Sequence, residues 1–201
     1  MPENAPPIHP RKLEIVEAAI SCFLEQGYHQ TGVRDIAKRA GISLGNLYNH
    51  FKGKDSLLAF IADLEAAELQ DFISDLTSAA PPHARLTLFV TDFARYCERP
   101  ENALLGIEIL AEALRNPKIS RVFEDNRQAL LAALASCLTA GKRDGAFSPD
   151  LSETCGAQII LDAVEGHGLR AILSPDHRAA SRAALVRFVL AGVMPPAQTR
   201  Q

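Results

Sequence analysis

Between residues 29 and 54 the chain reads HQTGVRDIAKRAGISLGNLYNHFKGK, with five Lys/Arg against one Asp/Glu. Asn46, Tyr48, Asn49 and His50 crowd into a few positions of it. These side chains suit a DNA groove. Asparagine can bond adenine in a bidentate way, and tyrosine and histidine can reach phosphates or base edges. Lys52 and Lys54 follow directly, where phosphate clamps are useful. Gly45 allows a close backbone approach near a helix start, where free N–H groups attract phosphate. The plain alternative for the same residues is a polar helix hairpin with no ligand.

To act together, these groups need a helix that buries a thin face and shows the other. The spacing supplies one. Val33, Ile36, Ala37 and Ala40 recur at i, i+3, i+4 and i+7, and Gly41 ends that helix. Ser43, a good N-cap residue, opens the next, which buries Leu47 and Phe51 one turn apart. Ala37 is small where two helices must cross, and Gly41 can take φ > 0 in the turn. Ile36, Ile42, Leu47 and Phe51 form the buried side. Leu44, Gly45, Asn46, Tyr48, Asn49 and His50 remain off the core, as a helix-turn-helix requires.

From Arg11 to Phe60, and above all in GYHQTGVRDIAKRAGISLGNLYNHFKGKDSLL, the chain resembles the DNA-binding domain of the TetR/AcrR family of bacterial transcriptional regulators. The resemblance implies that Thr31, Ser43, Tyr48 and Lys54 contact phosphate. It implies that Leu44, Gly45, Asn46 and Asn49 lie nearest the bases. Two positions depart from the family pattern. Gly32 stands where many members cap the second helix with Ser or Thr. Leu44 replaces a basic residue, removing one phosphate contact and offering an apolar one to a thymine methyl. ENALLGIEILAEALRNP and LDAVEGHGLRAILSP are similar to the C-terminal type of betaine-regulator-like members.

Elsewhere the chain reads as helix after helix, with no strict apolar/polar alternation of a half-buried strand. A first helix from Arg11 stops at Gly27. A long one runs from about Asp55 to Leu76, and SAAPPHA breaks it. Further helices end at ERPEN and at NPK. GKRDGAFSPD reads as the longest loop, with Asp150 and Glu153 as a capping box for the helix beyond it. SPD introduces the last helix. The expected fold is all-α, about nine helices. Its parts are a flexible tail at 1–10, a helix-turn-helix domain at 11–54, a ligand-binding and dimerisation domain at 55–195, and a flexible tail at 196–201.

The resemblance implies a ligand pocket among the C-terminal helices. Phe93, Tyr96 and Cys97 on one helix, with Glu108 and Phe123 from neighbours, are its candidate lining. Ordinary core is the bland reading of Phe93, Cys97 and Phe123. Asp162 and Glu165, i and i+3 on an apolar helix, could hold a cationic ligand or, with His167, a metal. A solvated face is the simpler account, and no metal is assigned. Small and apolar positions in the last two helices, Ala163, Val164, Leu185, Phe188, Val189 and Gly192, suit close packing. The resemblance implies that this pair forms a four-helix bundle with its copy. A dimer also has a physical reason: two recognition helices roughly 34–36 Å apart enter successive major grooves.

Composition narrows the function classes. The net charge of −3 hides an asymmetry: residues 1–54 carry seven Lys/Arg and five Asp/Glu, the remainder fourteen and nineteen. A small basic segment on an acidic body points to a local polyanion contact. No apolar run approaches the ~18 residues of a membrane span, and the start does not read as a secretory signal. Cys22, Cys97, Cys137 and Cys155 form no CxxC pair and read as reduced core cysteines of a cytoplasmic protein. No Gly-rich phosphate loop, nucleophile elbow or HExxH occurs, so neither an enzyme nor a cofactor is expected. The expected function is a homodimeric repressor released from a palindromic DNA operator by a small molecule. A ligand-dependent activator and a helical protein-interaction module are the alternatives, with no membrane partner.

Overall fold

The computed structural model describes residues 9–195, and the regular elements among them are all helical. In chain order they are α1 (Pro10–Gln26), α2 (Val33–Arg39), α3 (Leu44–His50), α4 (Lys54–Thr77), α5 (Pro82–Cys97), α6 (Pro100–Ala113), α7 (Pro117–Arg143), α8 (Glu153–Ala171) and α9 (Arg178–Val193). A 3-10 turn at Pro175–His177 leads into α9. The expected all-α class and helix count are both found among the described residues. Of the two expected tails, residues 1–8 and 196–201 lie outside them, while Pro10 already opens α1.

Local chemistry sets the boundaries. His9 caps α1 through its side chain, and Pro10 stands where a missing N–H costs nothing. Gly27 ends the helix at φ +83°, a conformation that side chains resist. Gly41, at φ +65°, makes the tight turn between α2 and α3. Gly32 has no side-chain oxygen to cap α2. In compensation its own N–H donates to the Asp35 carboxylate at 2.9 Å. Two expected boundaries are corrected. α7 continues through Gly141, Lys142 and Arg143, so the following loop is shorter than read. Ser152, not Asp150, caps α8, accepting the Cys155 N–H at 3.4 Å.

The described chain divides into two compact units. The first comprises residues 9–64 with Leu104–Phe123, so α6 from Leu104 onward and the first turns of α7 belong to it. Its core joins Ile15, Ala19 and Phe23 of α1, Ile36 and Ala37 of α2, Leu47 of α3, and Leu57, Leu58 and Ile61 of α4. Leu105 and Ile109 of α6 and Phe123 of α7 pack against it. Burying one such side chain is worth about 1.5–3 kcal/mol over leaving it exposed, so α6 is held by the same force as the helix-turn-helix.

The second unit comprises Glu65–Ala103 and residues 124–195. Leu86, Phe89, Val90 and Phe93 of α5 meet Leu130, Leu134 and Leu138 of α7, Leu161 and Val164 of α8, and Val189 and Val193 of α9. α8 crosses α5 closely at Gly168, where a Cβ would stand 2.4 Å from Cys97 Cβ and 2.8 Å from its carbonyl oxygen. One buried polar cluster ties three helices. Glu98, at the end of α5, is 2.8 Å from His167 Nε2 on α8 and pairs with Arg182 on α9. Both carboxylate oxygens are engaged, which is what makes a buried charge tolerable.

Candidate nucleic-acid interface

α3 is fixed on one side and open on the other. Leu47 is fully buried and Phe51 nearly so, and the Ser43 hydroxyl accepts the Asn46 N–H at 3.2 Å. Opposite them Tyr48 is half exposed. Ser43, Gly45, Asn49 and Lys52 are exposed, and Leu44, Asn46 and His50 are partly so. The structure thus brings eight of the ten expected DNA-contacting residues, Ser43 to Lys52, onto this helix and its ends.

The other two need a different account. Thr31 is buried, and its hydroxyl donates to the carbonyls of Cys22 at 3.1 Å and Gly27 at 2.9 Å. That placement tells against a phosphate contact from its side chain: Thr31 ties the end of α1 to the start of α2. Lys54 Nζ donates to the Tyr28 carbonyl at 2.7 Å and lies 4.3 Å from the centre of the Tyr28 ring. Burial pulls its pKa below the ordinary lysine value. Lys54 braces the turn between α1 and α2, and a phosphate would have to compete for it.

α6 holds the same turn. Glu108 Oε2 accepts the Tyr28 N–H at 2.9 Å. Buried Glu112 lies 2.8 Å from His29 Nε2. The Tyr28 hydroxyl donates to Asp55 at 3.1 Å on the α4 side. Glu108 was expected among ligand-lining residues; it is corrected to a support of the helix-turn-helix, because its carboxylate is already committed to a backbone N–H.

The remaining expected ligand residues separate. Phe93 and Tyr96 stack, with centroids 5.7 Å apart, and Phe72 meets both edge-on. Cys97 is pressed against Gly168. Burial pushes the Tyr96 hydroxyl and the Cys97 thiol well above their usual values. Phe123 belongs with Glu108 in the first unit. Asp162 and Glu165 are both paired with Arg127 of α7, so neither waits for a cation. Surface hollows of about 430 and 560 Å³ are lined by none of these residues. Among the described residues no three His, Cys, Asp or Glu side chains gather to hold a metal ion. Of the cysteines expected in the core, Cys22 and Cys137 are buried and Cys155 is exposed.

The expected dimer residues also divide. Val164 and Val189 are buried in their own unit, and Ala163 and Leu185 are half-buried. A second copy therefore cannot use the two valines. Phe188, 79% exposed, and Gly192 face outward, joined by Ile159 at 67%. Glu98, Arg127, Arg182 and Glu112 were not singled out from the sequence. Each takes its meaning from a partner far along the chain, which no local spacing reveals.

Two family models match the chain. "Bacterial regulatory proteins, tetR family" covers residues 15–61, and "BetI-type transcriptional repressor, C-terminal" covers residues 82–195. The HTH-type transcriptional repressor KstR2 of Mycobacterium tuberculosis (strain H37Rv) is 31% identical over 160 residues, 77% of this chain and 78% of that protein. The fatty acid degradation regulator FadR from Bacillus halodurans has the same fold: TM-score 0.81, 22% identity, 93% of this chain and 98% of that one. FadR from Bacillus subtilis, solved in complex with stearoyl-CoA, matches at TM-score 0.77 and 21% identity over 90% of this chain and 98% of that one. No helix among the described residues is long and apolar enough to cross a membrane. The first matched segment covers the helix-turn-helix that Ser43, Leu47 and Phe51 build, and the second covers α5 to α9; the chain belongs to the TetR family of bacterial DNA-binding transcriptional regulators.

Proposed function

We propose that the chain is a homodimeric repressor that binds operator DNA through α3 and releases it when a small molecule occupies the second unit. The observation that carries this reading is α3 itself. It is a short helix with Leu47 buried at its back, Ser43 capping its start, and Tyr48 and Asn49 exposed in front. In this reading residues 11–54 read DNA, and residues 55–195 hold the effector and dimer contacts. The outward residues of α8 and α9, Ile159, Phe188 and Gly192, meet their copies. The two recognition helices then reach the halves of a palindromic operator in the cytoplasm.

The repressor sense is supported by the descriptions of KstR2 and of the matched C-terminal model. The effector sense is supported by the stearoyl-CoA complex of Bacillus subtilis FadR, which makes a long-chain acyl-CoA the first probe to try. Ligand release requires only that the effector prefer the conformation that fits the operator poorly.

The test is a titration of labelled duplex from immediately upstream of the gene, at two salt concentrations. Tyr48→Ala should weaken binding about tenfold without changing the salt slope. Lys52→Ala should flatten that slope by about one. If the wild type binds neither this duplex nor any sequence selected from a random pool, the reading is wrong.

A further inference from the structure

The start of α1 lies against the end of α3. The His9 imidazole is centred 5.6 Å from that of His50, the last residue of α3, with the ring planes tilted by 45°. Just beyond, Lys12 Nζ stands 5.9 Å from the centre of the Phe51 ring and 5.5 Å from that of Phe60. His9 is exposed and His50 partly so. The charged side chains on the same turns are Arg11, paired with Glu14, then Lys12, and Lys52 just past α3.

The two imidazoles are not equivalent. His9 Nδ1 accepts the Arg11 N–H at 3.2 Å, which closes the cap of α1. With Nδ1 accepting, the neutral ring carries its proton on Nε2. That leaves an outward N–H with no hydrogen-bond partner among the described residues. His50 has no such commitment: neither of its nitrogens is hydrogen-bonded among the described residues.

Resting on the reading of α3 as the DNA-reading helix, we propose that His9 is a DNA-backbone contact, donating from Nε2 to a phosphate beside the one that His50 approaches. The interface then runs from α3 onto the start of α1, and the chain ahead of the helix-turn-helix is part of it. His9 donates from Nε2 while its Nδ1 keeps the α1 cap.

The test separates a DNA contact from a mere cap. His9→Asn keeps a strong N-cap residue but withdraws the long-reaching N–H, and His9→Ser does so with a second capping side chain. Both are compared with wild type. The probes are the upstream duplex and a random-sequence duplex of equal length, with thermal melting of each protein alongside. The expected result is wild-type melting for both His9 variants, with affinity lower by roughly tenfold. That loss should be equal on the two duplexes, since a backbone contact carries no sequence information. Wild-type affinity in both His9 variants would reduce His9 to a cap and overturn the proposal. A loss confined to the upstream duplex would overturn it too, by making His9 a base contact. A wild type that binds neither duplex nor any sequence selected from a random pool would bring down the DNA-binding reading itself, a result distinct from either.

Discussion

At the scale of single residues, context changes what a side chain is for. Thr31 has the composition of a phosphate contact, yet its hydroxyl is spent on two carbonyls inside the first unit. Thr31→Val keeps the shape and removes both bonds. It should lower stability by about 1–3 kcal/mol, read as a fall in the denaturant midpoint, while the salt slope of DNA binding stays as in wild type. Glu65 shows the converse, a charge the fold tolerates poorly. Its carboxylate accepts from Asn126 at 2.8 Å, but burial holds its pKa above the ordinary value. The protonated form is thus the one folding favours. Its contribution is full below the unfolded carboxylate range and is lost as pH rises through the folded value, so at neutral pH the ionised group weakens the fold. Glu65→Gln should raise the melting temperature at pH 7, with the gain fading towards about pH 4. Equal gains at both values would show that burial is not the cause.

Among the elements, what could be read from the sequence was what the sequence settles locally. Ser43, Leu47 and Phe51 lie within a little over two turns, so cap and buried face follow from spacing alone. The Glu108 bond to Tyr28 spans 80 residues, and nothing in α6 announces it. A carboxylate on a half-apolar helix reads equally well as solvated, ligand-binding or structural. The α8 cap failed for a subtler reason: Asp150 and Ser152 are both good caps, and only the backbone path selects between them. Gly168 is another element-scale feature hidden in the sequence, since it is one of several glycines in α8 and the one that meets Cys97 backbone. Gly168→Ala puts a methyl where α5 cannot give way. It should destabilise by about 1–3 kcal/mol, whereas Gly166→Ala, at an open position of the same helix, should be neutral or stabilising. Thermal melting of the pair distinguishes steric crossing from a general intolerance of α8 to substitution.

For the molecule as a whole, the proposed homodimer depends on an outward face that one unit leaves uncovered. Phe188→Asp sets a charge at its most exposed aromatic residue while leaving buried Val189 in place. Sedimentation should then report a monomer with unchanged helix content, and operator binding should fall more steeply than binding to a half-site. A dimer that survives the change would place the interface elsewhere. The division into units carries a lesson for anyone recombining such regulators. The DNA-binding unit is not one stretch of chain: residues 9–64 are completed by Leu104–Phe123. A chimera cut after α4 would take the recognition helix and leave behind Glu108, Glu112 and the apolar side of α6. Specificity would be transplanted without its brace. A graft that exchanges both segments together moves the whole folding unit, and the one cut that looks natural in the sequence becomes three.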